Sequence, residues 1–312
     1  MARIGHFYLG LTTADKFLMK RDRIVILPVE ERQGSMATDP IVKELNAIIT
    51  RRWDVAPGLA IFRVETDDDL FEFTAGQFCV LGLPPSAPRV PNAEPETPKE
   101  DDRMRRMIRR AYSIASSSRA REYLEFYVTL VASGEFTPRL FALREGDRIW
   151  VGPKATGLFT LEGVPREKAV YLLSTGTGLA PYMSMLRAEF AHQGSKRGVV
   201  IANGARYSWD LGYRAELEAI ARVNPLFTYI PSITRPQGDT TWAGVLGYIQ
   251  DQIVDGRLER ASGVPLVPAQ AHVFLCGNPA MIETVTTLLK ERGFAEWSKR
   301  TPEGQIHTEK YW

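Results

Sequence analysis

The hydrophobic rhythm of the chain changes near Val164, and this change limits the architecture more than any other feature of the sequence. Before it, short β-rich runs at 47–53, 59–65, 78–83, 111–115, 124–131 and 148–151 are mostly separated by turn residues. That pattern favours an antiparallel β-barrel over helices, with one short helix expected at 137–143 and Glu145-Gly146-Asp147 turning into the last strand. After it, an apolar strand at 169–173 meets Ser174-Thr175-Gly176-Thr177-Gly178 and then an amphipathic helix at 180–192. Further strands at 198–202, 226–230 and 272–276 alternate with helices near 210–222, 242–253 and 279–292. Strands that alternate with helices imply a parallel, helix-covered sheet, which binds ligands at the carboxyl ends of its strands.

The reading is therefore of two domains, an antiparallel β-barrel at 41–164 followed by an α/β parallel-sheet domain at 165–312, which also suits a length of 312 residues. Residues 1–40 read as an N-terminal extension ending in a polar, turn-rich stretch. Either Met36 is an alternative start, or the extension packs on the body through Phe7, Tyr8, Leu9 and the apolar run 24–27. The Pro-rich and then charged stretch from Pro84 to Arg110 reads as a surface loop inserted between two strands.

Composition removes several function classes. With 39 basic and 37 acidic side chains the net charge is +2, too small to make nucleic acid or an anionic membrane the main partner. Only two cysteines are present, Cys79 and Cys276, which argues against a disulfide scaffold. They are also too few for a cysteine-ligated iron–sulfur cluster, which takes about four thiolates, so such a cluster would sit on another molecule. No apolar run approaches the roughly 18–20 residues of a membrane span, and the N-terminus lacks the order of a signal peptide, so a cytoplasmic protein is expected. His6, His192, His272 and His307 are scattered without ligand spacing, so neither a metal site nor a Ser–His–Asp hydrolase is expected.

Four short motifs carry chemistry. In Arg110-Ala111-Tyr112-Ser113 an arginine suited to a pyrophosphate and an aromatic ring suited to a flat heterocycle lie two apart on a strand, and so face the same way. Read alone, the run is equally an arginine-ended strand with a half-buried tyrosine. Glu135-Phe136-Thr137-Pro138 stands at a helix N-terminus, where backbone N–H groups form an anion site or merely a capped turn. Thr175-Gly176-Thr177-Gly178 follows a strand and opens a helix, and its glycines let a dinucleotide lie close to the backbone. It is not the three-glycine Rossmann fingerprint. Cys276-Gly277-Asn278-Pro279 again follows a strand; its thiol suits the side of a nicotinamide ring, or is an ordinary buried core cysteine.

Taken together and in this order, these motifs resemble the ferredoxin–NADP reductase family. The end Glu309-Lys310-Tyr311-Trp312 resembles its bacterial branch, which finishes on an aromatic residue. The similarity runs from about Leu45 to Trp312. It implies an FAD-dependent enzyme that passes electrons between NADPH and a one-electron carrier, ferredoxin or flavodoxin, and a monomer is expected. Arg110 would hold the FAD pyrophosphate, with Ala111 beside it, Tyr112 would pack on the flavin and Ser113 would lie near its N5. Val128, Thr129 and Leu130, with Glu135, Phe136, Thr137 and Pro138, would complete the FAD site, Thr177 would reach the flavin from the second domain, and Trp312 would contact the adenine.

On the NADP(H) side the resemblance implies Thr175 and Gly176 along the dinucleotide, Cys276 beside the nicotinamide, and Arg206 and Arg235 at the 2′-phosphate. Ser113, Cys276 and Glu309 would be the catalytic residues, Glu309 assisting proton movement. One family arginine is missing, because Val245 and Leu246 follow Gly244. The arginine-rich run 103–110 reads as a solvated loop, or as a patch that steers an acidic carrier. The rival readings are a stand-alone NADH-dependent reductase component of an oxygenase and a non-catalytic flavin- or nucleotide-binding redox module.

Overall fold

The computed structural model describes residues 16–20, 23–27, 42–96, 106–190 and 196–310. The chain divides into two compact units, Met1–Lys43 and Glu44–Trp312. Within the first, strands β1 (Lys16–Lys20) and β2 (Arg23–Leu27) form an antiparallel hairpin.

The second unit opens with β3 (Ala47–Ala56), β4 (Leu59–Thr66), β5 (Phe78–Leu83), β6 (Ile108–Ser113), β7 (Leu124–Thr129) and β8 (Arg148–Val151). They pair antiparallel in the order β6-β5-β8-β3-β4-β7. Alternate residues, among them Ile49, Phe62, Val64, Leu81, Phe126 and Val151, point into one apolar core, the period-two burial that the sequence announces. Between β3 and β4 the two-residue turn works because Gly58 takes φ +74, a conformation free of strain only without a Cβ. The sheet curls like a barrel but stays open: β6 and β7 are its edges, bridged just past β6 by the Ala115 N–H donating to Glu125 O at 2.7 Å. A one-turn helix, α1 (Thr137–Leu140), stands where a longer one was expected.

Then β9 (Ala169–Thr175), β10 (Val199–Ala205), β11 (Phe227–Ile233), β12 (Val245–Leu246), β13 (Ala271–Cys276) and β14 (Ile306–Glu309) form a parallel sheet in the order β12-β11-β10-β9-β13-β14. Helices α2 (Ala180–Phe190), α3 (Arg214–Val223), α4 (Ile249–Val254), α5 (Arg257–Ser262) and α6 (Pro279–Glu291) connect them. Apolar cores lie on both sheet faces. Val170, Leu172, Ile201 and Phe274 meet α2 on one, while Leu173, Val200, Val273 and Leu275 meet α4 to α6 on the other. Each of these buried apolar side chains stabilises the fold by about 1.5–3 kcal/mol relative to exposure. The first core also takes in Leu59, Ile61 and Tyr127 of the antiparallel sheet, so the two sheets share it.

Chain order reverses at β9, which runs outward to β12 and then returns to β13 on its other side. Such a switch point leaves a crevice beyond the carboxyl ends of β9 and β13. Two expectations fail here. The helix expected at 242–253 is confined to Ile249–Val254, because Gly244 and Gly247, the latter at φ +103, break it, and Val245–Leu246 pair with β11 instead. The strand β14 was not expected, yet it brings Glu309 into register beside Cys276.

Candidate active site

The crevice at the switch point opens into one cavity of about 1340 Å³ that reaches from the antiparallel sheet to the far side of the parallel one. Its walls are set by two strand-to-helix turns that touch. A Cβ added at Gly178 would lie 2.4 Å from Cys276 O, and one at Gly277, where φ is +123, would lie 2.4 Å from Thr175 Oγ1. Glycine is therefore required at both positions. The Thr175 hydroxyl accepts the Asn278 N–H at 2.8 Å, and Asn278 Oδ1 in turn caps α6 through the Ala280 N–H, also at 2.8 Å. Thr175 thus holds the turn together, while Gly176 and Thr177 face the cavity.

Three chemically active side chains meet where β6, β13 and β14 come together; Ser113 and Glu309 line the cavity, whereas Cys276, fully buried, does not. Ser113, at the end of β6, donates its hydroxyl to Glu309 Oε2 at 3.0 Å, and Cys276 Sγ lies 3.9 Å from the same oxygen. Ser113 and Cys276 are buried and Glu309 is half-buried. Burial pushes the Glu309 carboxyl up to about 7, against the opposing hydrogen bonds from Ser113 and Cys276. A carboxyl that titrates near neutrality beside a hydroxyl and a thiol can hold or release one proton under physiological conditions.

The antiparallel wall carries Arg110, Ala111, Tyr112, Val128, Thr129, Glu135, Phe136 and Thr137. Arg110 is half-exposed and weakly paired with Glu135 at 3.4 Å. The Tyr112 ring lies 5.5 Å from that of Phe136, and burial raises its phenol above the ordinary range. Thr137 binds the backbone of Val131 in both directions, accepting its N–H at 2.9 Å. Leu130 and Pro138 do not line the cavity: Leu130 packs on the barrel core, and Pro138 is buried with its carbonyl accepting the Val90 N–H. With only one turn in α1, little helix dipole is available to an anion there.

At the far end Arg206, directly after β10, and Arg235, soon after β11, both line the cavity. Both are exposed, and among the described residues neither forms an ion pair. Thr234, Tyr248 and Gln250, which the sequence reading missed, stand beside them. Tyr311 and Trp312 lie outside the described residues, as do Arg103 and Arg105.

An open antiparallel barrel and a doubly wound parallel sheet, sharing one cavity lined by a serine and a carboxyl with a buried thiol in contact with that carboxyl, define a dinucleotide-binding oxidoreductase. Residues 172–287 match the oxidoreductase NAD-binding domain family. The chain is 33% identical over 253 residues to the flavodoxin/ferredoxin–NADP reductase of Escherichia coli (strain K12), covering 81% of this chain and 93% of that protein. It is 34% identical over 241 residues to ferredoxin–NADP reductase A of Sorangium cellulosum, covering 74% and 78%. The chain belongs to the flavodoxin/ferredoxin–NADP reductase family.

Among solved structures, a ferredoxin NADP+ reductase from Neisseria gonorrhoeae with bound FAD and NADP superposes with a TM-score of 0.71. The identity is 25%, and the match covers 86% of this chain and 99% of that one. A cytochrome P450 reductase from Amycolatopsis gives a TM-score of 0.64 at 26% identity, covering 86% and 69%. No described helix is long and apolar enough to cross a membrane.

Proposed function

We propose that the protein is an FAD-dependent oxidoreductase that moves electrons between NADPH and a separate one-electron carrier, a ferredoxin or flavodoxin. One observation carries the reading: a single cavity has the Arg110–Ser113 strand on one wall, the turn of Thr175 and Gly176 on the other, and two exposed arginines, Arg206 and Arg235, at its far end. At about 1340 Å³ it exceeds the roughly 300–1,000 Å³ of an ordinary small-ligand pocket, as a site for two dinucleotides must. When bound, FAD supplies the conversion between two-electron hydride chemistry and one-electron transfer.

The chain's own residues then have distinct tasks. Arg110 and the backbone of Glu135, Phe136 and Thr137 hold the FAD pyrophosphate. Tyr112 would pack on the flavin, Val128 would help to complete the FAD site, Thr177 would reach the flavin from the second domain, and Trp312 would take the adenine. Arg206 and Arg235 hold the 2′-phosphate of NADPH, supplying the positive charge that separates it from NADH. Cys276, small and buried in contact with Glu309, would leave room for the nicotinamide without competing for its hydride. Ser113 donates its hydroxyl to Glu309 Oε2, and the pair would hold or move a proton at that oxygen when the flavin is bound. The reading assigns FAD to the domain at 41–164 and NADP(H) to that at 165–312, with 1–40 as an appended segment, and places the protein in the cytoplasm as a monomer.

A second reading, a reductase that serves an oxygenase, draws on the likeness to the cytochrome P450 reductase and on Val245 standing where a third arginine is expected. Anaerobic mixing of the flavin-loaded protein with NADPH, and separately with NADH, distinguishes the two. Fast bleaching of the visible flavin band by NADPH and slow bleaching by NADH is expected. Faster bleaching by NADH moves the reading to the oxygenase class, and failure to retain flavin overturns both.

A further inference from the structure

Glu125 is a buried carboxylate at the seam between the two sheets, 3% exposed, and the chemistry above makes no use of it. Three donors converge on it: Arg187 Nη1 at 2.8 Å, the Tyr213 hydroxyl at 2.9 Å and Arg63 Nη2 at 3.3 Å. Arg63 stands opposite Glu125 in the β4–β7 pair. Arg187 on α2 and Tyr213 at the start of α3 come from the parallel-sheet side. Arg187 also donates to Ala115 O at 2.8 Å and forks onto Glu216 at 2.8 and 2.7 Å. Burial opposes its charge, and the Glu216 and Glu125 carboxylates more than offset that, holding it above the usual guanidinium range.

Two residues along β7 from Glu125, Tyr127 points the same way and grips the segment just before Tyr213. Its hydroxyl donates to Asp210 O at 3.2 Å and accepts the Gly212 N–H at 3.0 Å. A side chain at position 212 would not fit, since a Cβ there would lie 2.4 Å from that hydroxyl. Tyr213, next in the chain, has φ 58 and ψ 6, the one non-glycine residue at positive φ among those described. Such a conformation persists only where the surroundings impose it. Here the imposing contacts come from Glu125 and Tyr127 of the antiparallel sheet.

Both ends of this clamp abut the cavity. Ala115 lies two residues beyond Ser113, Val128 follows Tyr127, and Asp210 shares with Arg206 the loop that lines the far wall. Around the clamp the two sheets meet through apolar side chains, whose attraction has no direction and permits sliding. A forked, charge-assisted contact does have direction. Buried ion pairs add little stability over apolar residues of the same shape, so geometry is what this one contributes.

We propose that Glu125 is a positioning residue: through Arg187 and Tyr213 it fixes the placement of one wall of the cavity against the other, and so the approach of the nicotinamide to the flavin. The proposal rests on the function given above. To test it, the FAD-loaded wild type is compared with the paired variant Glu125→Gln/Arg187→Met, which removes both charges together, and with Tyr213→Phe, which removes one hydrogen bond. Two quantities are read: amide hydrogen exchange over residues 208–213, and kcat and KM for NADPH-driven reduction of ferricyanide.

In the paired variant exchange over 208–213 is expected to rise at least about tenfold. Because small misplacements of reacting groups are costly, kcat is expected to fall at least about tenfold, with KM for NADPH within about threefold of wild type. Tyr213→Phe gives a smaller change in the same direction, and decides the matter alone if the paired variant fails to fold. Wild-type kcat in the variants, unchanged exchange, or a rise in KM at constant kcat overturns the proposal. If the wild type itself retains FAD but oxidises neither NADPH nor NADH, the reading of function falls instead, and exchange over 208–213 still reports whether the clamp holds the walls together.

Discussion

The two ends of the cavity are built on opposite plans. At the bottom, Ser113 and Glu309, with the buried Cys276 against them, are mostly withdrawn from water and already in contact, Ser113 and Cys276 lying 3.0 and 3.9 Å from Glu309 Oε2. At the far end, Arg206 and Arg235 are exposed and form no ion pair among the described residues, each following its own strand. The difference follows from what each end must do. Groups that act on a reacting atom gain from being held in place beforehand, since ordering them during the reaction would raise the barrier. Groups that capture a phosphate need no partner beforehand, since the ligand supplies the opposite charge and accepts their hydrogen bonds. Damage to the first end should therefore appear in kcat, and damage to the second in KM.

Ser113→Ala is the severest test of that contrast. It removes the donor to Glu309 without altering a packed contact, so kcat for NADPH oxidation is expected to fall about 100-fold, the usual cost of losing one prearranged donor. KM and thermal stability should hardly move. An unchanged kcat with a raised KM would mean that the bottom of the cavity is a binding surface and that the contrast is false.

Next comes the far end. Arg206→Ala and Arg235→Ala each delete one charged contact to a phosphate, worth about 1.5–3 kcal/mol, or roughly 10- to 150-fold in KM for NADPH. KM for NADH and kcat should stay near wild type. If the NADH and NADPH values rise together, the arginines hold the shared pyrophosphate rather than the 2′-phosphate.

How legible each end was in the sequence follows the same division. Thr175, Gly176 and Cys276 stand at or just after strand ends, and a strand followed by glycine or a helix start is a local pattern, whereas Arg206 and Arg235 were singled out only by family likeness. Glu309 was legible only by family likeness, because the four residues of β14 show no clear alternation. The clamp was not legible at all: Glu125 and Arg187 are 62 positions apart, and nothing near either one signals the other. The helix misread at 242–253 has a local cause, since the apolar spacing outweighed Gly244 and Gly247 in the reading but not in the fold.

A third test concerns pH, because the sheet face that carries Cys276 and Glu309 also carries two buried histidines. His272 Nδ1 lies 3.1 Å from His307 Nε2, and the His307 ring stacks on Phe274 and Trp297. Burial, with nearby cations, lowers His272 to about 4, and burial, with His272, lowers His307 to about 3. Below the unfolded value near 6.5 the unfolded chain binds more protons at these sites than the folded one, so their contribution to stability is lost as pH falls. Glu309 acts in the opposite sense: raised to about 7, it gives the folded state the extra proton, and its contribution is lost as pH rises from the ordinary carboxyl range through 7. Between pH 7 and 5 the two trends partly cancel in the wild type without ligand. Glu309→Gln removes one of them, and its stability in urea titrations should fall more steeply with acid, by on the order of 2 kcal/mol between pH 7 and 5. Parallel curves for the two proteins would mean that Glu309 is an ordinary exposed carboxylate and does not belong to the prearranged end.

The smallest effect is expected where the two plans meet, at Arg110. Its guanidinium is half-exposed and shares a 3.4 Å ion pair with Glu135, whose own side chain is about one-third exposed. Such a pair contributes only about 0–1 kcal/mol to stability, so Glu135→Gln should leave the thermal midpoint nearly unchanged. Its effect on FAD is more telling. If Arg110 holds the pyrophosphate, Glu135 competes with that anion for the same donor and repels it, and removing the charge should tighten FAD binding by a factor of a few, as an exposed charge pair allows. The gain should shrink in high salt, where exposed charges are screened. Weaker FAD binding in Glu135→Gln would instead mean that the carboxylate orients Arg110 for the cofactor. Arg110 would then belong to the prearranged end of the cavity, and the line between the two plans would have to be moved.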